Sequence, residues 1–281
     1  MSRVGRMAWM GCIALVASAA RADEASLRFL REGQLVRELS LPQLRAACHE
    51  TRIELDDPYY GHRKTFLACP LGEVLAAGFG APLAPDANVF LRARDGYTKP
   101  ASGARLDEPG GYLTFADLSN PSGSGWEPID RRQVDPAPFY MVWTGPKQQD
   151  VHRYPWPYQL ATIEIAPFER EFPHTVPTGE PGDAPAWVGF GIFRSECIAC
   201  HAINGEGGKV GPDLNVPRSI VEYRPAEQIK AFVRDPQTFR YTSMPAHRHL
   251  SEAQLDGLVA YFRAMSERKR DPGGAADAGA R

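Results

Sequence analysis

Two patterns of apolar spacing divide this chain. From Ala186 onward the apolar residues recur every three to four positions, so Trp187, Phe190, Phe193 and Cys197 predict a helix over 186–199. Ile229, Phe232 and Val233 continue the spacing in a helix over 225–234, with Pro225 in its first turn and Asp235-Pro236 ending it. A last helix follows the capping box Ser251-Glu252-Ala253-Gln254, with Leu255, Leu258, Val259 and Phe262 as its apolar stripe. Before Phe168 the apolar stretches are short, β-branched or aromatic, and broken by turn residues, which predicts strands. Residues 27–39 read as two strands about a turn at Glu32-Gly33, and Ser40 opens a helix with Pro42 near its start. Further strands are predicted over 52–55, 64–68, 87–93, 112–115, 139–144 and 159–165, with a short helix over 71–77.

Between the two regimes, EFPHTVPTGEPGDAPA breaks any period with prolines and glycines and predicts a linker over 171–185. Beyond Met265, SERKRDPGGAADAGAR has too little apolar surface to offset its ordering entropy, so 267–281 is expected to be a disordered tail. At the other end a short basic stretch precedes the apolar run MAWMGCIALVASAA, which falls short of the roughly 20 residues of a bilayer span. With small residues at Ala20 and Ala22 it reads as a cleavable export signal over 1–22. The mature chain would begin near Asp23, in the periplasm, with no stable membrane insertion. The 32 basic and 34 acidic side chains give a net charge of −2, which demands neither nucleic acid nor a membrane surface as partner.

Cys12 would leave with the signal, and Cys48, Cys69, Cys197 and Cys200 remain. The last two lie in FRSECIACH, a Cys-x-x-Cys-His run that admits a redox dithiol, half of a zinc site or a point of covalent haem attachment. A dithiol asks for a βαβ context that this sequence does not supply, and zinc asks for a second pair of ligands at suitable spacing. On a helix Cys197 and Cys200 share one face, where both sulfurs can reach the vinyl groups of one planar ligand. His201 then follows in line to coordinate the metal at that ligand's centre.

The surrounding residues resemble the mono-haem class I cytochrome c family over 186–265. Gly189-x-x-x-Phe193-x-x-x-Cys197 is similar to its first helix, Gly211-Pro212-Asp213-Leu214 to its proline loop, and Tyr241-Thr242-Ser243-Met244-Pro245 to the loop supplying its sixth ligand. The resemblance implies haem c, one per chain, attached through Cys197 and Cys200, with His201 and Met244 as axial ligands of the iron. It also implies a hydrogen bond from His201 to the Pro212 carbonyl, which would fix the ring's tautomer. A Met244 thioether would favour reduced iron and raise the potential. His247 and His249 are nearby rivals for the sixth position.

The N-terminal pieces, 23–170, weakly resemble the molybdopterin-binding domain of the sulfite oxidase family, through LSLPQL, CPLGEVLAAGFG, RARDGYTKP and PFYMVWTG. The loop expected to carry that family's molybdenum-binding cysteine reads DDPYYGHRK and has no thiol, so no molybdenum ligand is carried over. Cys48 and Cys69 read first as a structural disulfide, with buried thiols or a cofactor thiolate as alternatives. The aromatic residues over 138–158 read chiefly as core, and His49, His62, His152 and His174 as solvated or hydrogen-bonded, since they show no metal spacing.

The expected fold class is an α+β N-terminal domain followed by an all-α cytochrome c domain over 186–266. The first functional reading is an exported electron carrier with unidentified redox protein partners, in which the N-terminal domain recognises partner or ligand. The alternative is an oxidoreductase of a small substrate at a molybdenum-pterin, with the haem as electron outlet.

Overall fold

The computed structural model describes residues 25–129 and 133–272, so the expected export signal and residues 273–281 of the expected tail lie outside the described residues. The chain opens with β1 (Ser26–Arg31) and β2 (Gln34–Ser40), which turn on Glu32 and Gly33 at φ of 51° and 81°. The Ser40 backbone N–H donates to Gln43 Oε1 at 2.8 Å, one half of a capping box that starts α1 (Leu41–Ala46). Next come β3 (Thr51–Asp57), β4 (His62–Pro70), α2 (Leu71–Phe79), β5 (Asn88–Ala93), β6 (Thr98–Ser102), α3 (Gly103–Leu106), β7 (Gly111–Asp117), β8 (Tyr140–Trp143) and β9 (Leu160–Ile165).

These strands form two sheets, of order β2-β1-β9-β5-β6 and β3-β4-β7-β8. β9 runs parallel to β1 and antiparallel to β5, which places the last N-terminal strand in the middle of the larger sheet. A shared core gathers Leu27, Phe29, Phe66, Tyr140, Trp143, Trp156 and Ile163. The aromatic run is therefore mostly core, and its polar ends are satisfied: Tyr140 Oη donates to Asp57 at 2.9 Å and Trp143 Nε1 to the Pro155 carbonyl at 2.7 Å.

After β9 come α4 (Phe168–Glu171), α5 (Pro185–Ile192), the two-residue strands β10 (Ala202–Ile203) and β11 (Glu206–Gly207), α6 (Ala226–Arg234) and α7 (Glu252–Ser266). α5 and α7 cross in backbone contact, because a Cβ on Gly189 would stand 2.0 Å from the Gly257 carbonyl oxygen. Around the crossing lies a second core containing Phe190, Phe193, Ile198, Leu258, Tyr261 and Phe262. Phe90 from β5 and Phe168 from α4 belong to this second core, so the N-terminal strands and the C-terminal helices share apolar contacts. The stretch 171–185 is tied to α7: Tyr261 Oη donates to the Thr175 carbonyl at 2.7 Å, and Arg268 Nε to that of Thr178 at 2.8 Å.

The expected class, α+β followed by an all-α domain, is corrected. Strands dominate the N-terminal part, whose helices are short, and the C-terminal region is helical but mixed. β10 and β11 pair antiparallel immediately after His201, about a turn at Asn204 and Gly205 with φ of 57° and 81°. Asn-Gly is the pair that a two-residue hairpin turn favours, and the hairpin pairs backbone groups that lie beyond the predicted helix over 186–199.

Cys48 and Cys69 are joined, with Cα atoms 5.7 Å apart and a separation of 21 positions in sequence. The bond ties the residues after α1 to the end of β4. Replacing both by alanine is expected to destabilise the protein by about 3 kcal/mol, the loop-closure estimate for a link of this span. Urea unfolding checks this: reductant should lower the midpoint of the wild type and leave that of the double variant unchanged.

Candidate functional site

α5 starts with Pro185 in its first turn and leads toward the cysteines, but it does not stay α-helical to Ala199 as the spacing suggested. Over Phe193–Cys197 the backbone widens to a π turn, and the Ile198 N–H reaches back five residues to the Phe193 carbonyl at 2.8 Å. The chain then tightens: the N–H groups of Cys200 and His201 both donate to the Cys197 carbonyl, at 3.1 and 2.9 Å. Cys197 is buried and Cys200 half-buried, and both lie outside the Cys48–Cys69 disulfide. Burial pushes the Cys197 thiol up to about 12, so with no partner bound this sulfur is a neutral thiol.

A loop from 207 to 214 wraps the cysteine turn. The Gly208 N–H donates to the Ile198 carbonyl at 2.8 Å and the Gly211 N–H to that of Cys200 at 2.7 Å. Gly211 lies flat against the histidine: a Cβ there would meet His201 Cε1 at 2.5 Å. The next residue holds the ring's other edge, with His201 Nδ1 2.8 Å from the Pro212 carbonyl oxygen. A carbonyl only accepts, so Nδ1 carries the proton and the Nε2 lone pair is left available for a metal. Burial lowers the His201 pKa, which keeps the imidazole neutral.

Met244 comes from the loop between α6 and α7, half-buried against the core that holds Cys197, with its backbone N–H on Thr242 Oγ1 at 3.1 Å. His247, three residues on, is buried in the same loop and lies within electrostatic reach of His201. The donor set suits a haem: a neutral imidazole held by its far nitrogen, a thioether, and two cysteine sulfurs in the turn before the imidazole. His201 and Met244 would hold its iron, and Cys197 and Cys200 its periphery.

The N-terminal region contributes more here than sequence reasoning foresaw. β6 is the edge of its sheet, and the Thr98 N–H at its start donates to the Ala199 carbonyl at 2.9 Å. Buried Lys99 donates through Nζ to the Ser195 carbonyl at 2.6 Å, a group in the π turn. Tyr59, in the loop that carries no thiol, and Tyr97 lie within electrostatic reach of Cys200, and desolvation raises both phenols. His247 and His249, the rival iron donors, instead face Glu196, as does His152. His49, His62 and His174 pair with Glu73, Glu127 and Glu206, as the default reading had it. No linear spacing connects His152 with residues 44 and 95 or more positions away, so the fold alone reveals this grouping.

Residues 184–262 match the family model of cytochrome C oxidase, cbb3-type, subunit III. Cytochrome c oxidase subunit 2 of Alkalihalophilus pseudofirmus is 33% identical over 94 residues, 31% of this chain and 27% of that protein. Thiosulfate dehydrogenase of Thiomonas intermedia is 32% identical over 103 residues, 33% of this chain and 31% of that protein. The chain thus spans about a third or less of the length of these relatives. The C-terminal region is a cytochrome c-type domain, and such a domain implies haem c. The resemblance of the N-terminal region to the sulfite oxidase family draws no support from these matches. Among the described residues no helix is long and apolar enough to cross a membrane.

Gly211→Ala is expected to drive a methyl group into the His201 ring and destabilise the protein by about 1–3 kcal/mol. Gly191→Ala, where an added Cβ meets nothing within 4 Å, is the matched control and should leave the unfolding midpoint unchanged or slightly raised. Urea unfolding of the two variants beside the wild type measures the difference.

Proposed function

We propose that this protein is an exported electron carrier with one haem c, bound covalently through Cys197 and Cys200, and with His201 and Met244 as the axial ligands of its iron. The observation that carries this reading is the 2.8 Å contact between His201 Nδ1 and the Pro212 carbonyl, directly after two cysteines on one tight turn. It supports an imidazole whose tautomer and orientation are fixed before any metal arrives. When bound, haem c supplies a one-electron Fe(III)/Fe(II) couple.

The chain's own residues then set the conditions. Gly211 and Pro212 hold the imidazole from two sides, and the Met244 loop is anchored by Thr242 and by the buried backbone around His247. If His201 and Met244 both hold the iron, they would leave no position on it for a small substrate, which would favour outer-sphere transfer to a redox protein over chemistry on a bound molecule. The relatives are named as an oxidase subunit and a dehydrogenase, and redox protein partners are the coarse inference that this supports. The apolar run before Ala20 and the disulfide between Cys48 and Cys69 both suit export to an oxidising compartment. In this reading the N-terminal region shields the cysteine turn and presents the surface that a partner meets. The alternative of a molybdenum-pterin oxidoreductase has no thiolate to draw on in that region, since Cys48 and Cys69 are bonded to each other.

Expression in a host that attaches c-type haem tests the assignment. The wild type should carry one iron per chain and stain for covalent haem on a denaturing gel. Cys197→Ala/Cys200→Ala should lose the stain. Met244→Ala should keep it while losing the long-wavelength Met-to-iron absorption band, lowering the reduction potential and binding carbon monoxide when reduced. Retention of that band in Met244→Ala would assign the sixth position to another residue.

A further inference from the structure

The group around Glu196 lies outside the set of residues assigned to the haem. His152 comes from the segment between β8 and β9, Glu196 from the π turn beside Cys197, and His247 and His249 from the loop that carries Met244. One donor atom from each lies within 4.8 Å of all the others. The distances to the carboxylate are tighter. His152 Nδ1 is 3.1 Å and His247 Nδ1 3.3 Å from Glu196 Oε2, and His249 Nε2 is 3.6 Å from Oε1. A tetrahedral ion with bonds of about 2.0–2.1 Å spaces its donors about 3.3 Å apart, so these three separations are already close to those of a coordination shell.

A second observation separates this group from an ordinary hydrogen-bonded cluster. His247 is 3% exposed, and its Nδ1 has no hydrogen-bond partner although it faces the Glu196 carboxylate at 3.3 Å. A buried ring nitrogen in that position costs free energy unless something fills it. The backbone of His247 is fixed as well: its N–H donates to the Val233 carbonyl at 3.2 Å and its carbonyl accepts from the Leu250 N–H at 3.1 Å. Nearby charge does not close the site. Lys99 Nζ is engaged by the Ser195 carbonyl, and Asp150 Oδ1 accepts from the His152 backbone N–H at 3.0 Å. The His249 side chain is 45% exposed and gives an ion a way in.

We propose that His152, Glu196, His247 and His249 bind one divalent transition-metal ion of the zinc class. Three imidazoles and a single carboxylate suit such an ion, whereas calcium and magnesium require a shell of oxygens. A bound ion would clamp the N-terminal region, the cysteine turn and the Met244 loop to one another. The site stands on its own donor atoms, and zinc binding is read without reference to electron transfer.

The test titrates zinc chloride calorimetrically into the full chain, purified with its haem and stripped with EDTA. The expected result is about one zinc per chain with a Kd in the micromolar range or tighter. Affinity should fall by at least about tenfold in His249→Ala and in His152→Ala, and stay unchanged in His49→Ala. Zinc should also raise the thermal unfolding midpoint of the wild type but not that of His249→Ala. The substituted rings are at least partly exposed, and the haem spectrum together with the unfolding midpoint reports whether each variant is folded. Binding no tighter than about millimolar in the wild type, or equal affinity in the wild type and both site variants, overturns the proposal.

Discussion

The contact between α5 and α7 at Gly189 sets the position of everything that follows it in the chain. With no side chain at Gly189 the two helices meet backbone to backbone, and a methyl group there would strike both the Gly257 carbonyl and Tyr261 Cβ. The crossing also lets Tyr261 pack on Phe190 and Phe193 while its hydroxyl reaches the Thr175 carbonyl. Phe193 is where the helix widens, so the registry of α5 on α7 fixes where Cys197, Cys200 and His201 emerge. Loop 207–214 then wraps a turn whose place is already determined. A shift of one residue along α5 would move the cysteines by about 100° around the helix axis and separate His201 from the carbonyl that orients it.

The π turn has a second consequence, which reaches the other half of the molecule. By lengthening the hydrogen-bond ring it turns the Ser195 carbonyl outward to accept from Lys99, and the Ala199 carbonyl is taken by the N–H of Thr98. Thr98 begins β6, the edge of the five-stranded sheet, so the cysteine turn covers part of an edge that would otherwise offer unpaired backbone groups. Arg194 adds a hydrogen bond to Asn88 at 2.8 Å and a cation–π contact with Phe168 at 4.2 Å. The sheet and the cytochrome c-type domain are thus joined by backbone, apolar and charged contacts together.

Sequence reading succeeded where the deciding interactions are local. The helix start at Ser40, the capping box at Ser251, the Glu32-Gly33 hairpin and the order of the strands along the chain all rest on residues within a few positions of one another. It failed where distant residues decide. β6 escapes the apolar pattern because Pro100 interrupts it, yet an edge strand tolerates a proline. Apolar spacing predicts regular helix to the end of α5 because the π turn depends on partners such as Lys99, nearly a hundred residues earlier. The hairpin after His201 is a different kind of miss: Asn204-Gly205 was a local signal, and helical spacing on either side hid it.

Glu196 shows why a partly buried charge at this junction is informative. Burial alone would raise its carboxyl, but the hydrogen bond from His152, the close His247 nitrogen and the Lys99 charge outweigh that and hold it well below the usual carboxylate range. Its hydrogen bond in turn raises the His152 pKa against partial burial. Partly buried charged groups of this kind add little net stability compared with apolar packing, but they tolerate few alternative arrangements. The apolar contacts among Phe90, Phe168 and Phe190 allow sliding, because apolar attraction is not directional. Glu196 does not, since its partners come from three separate segments and must all arrive at one carboxylate. The packing supplies the adhesion between the sheet and the helices, and this carboxylate selects the one relative placement in which the cysteine turn, the Met244 loop and the N-terminal sheet meet.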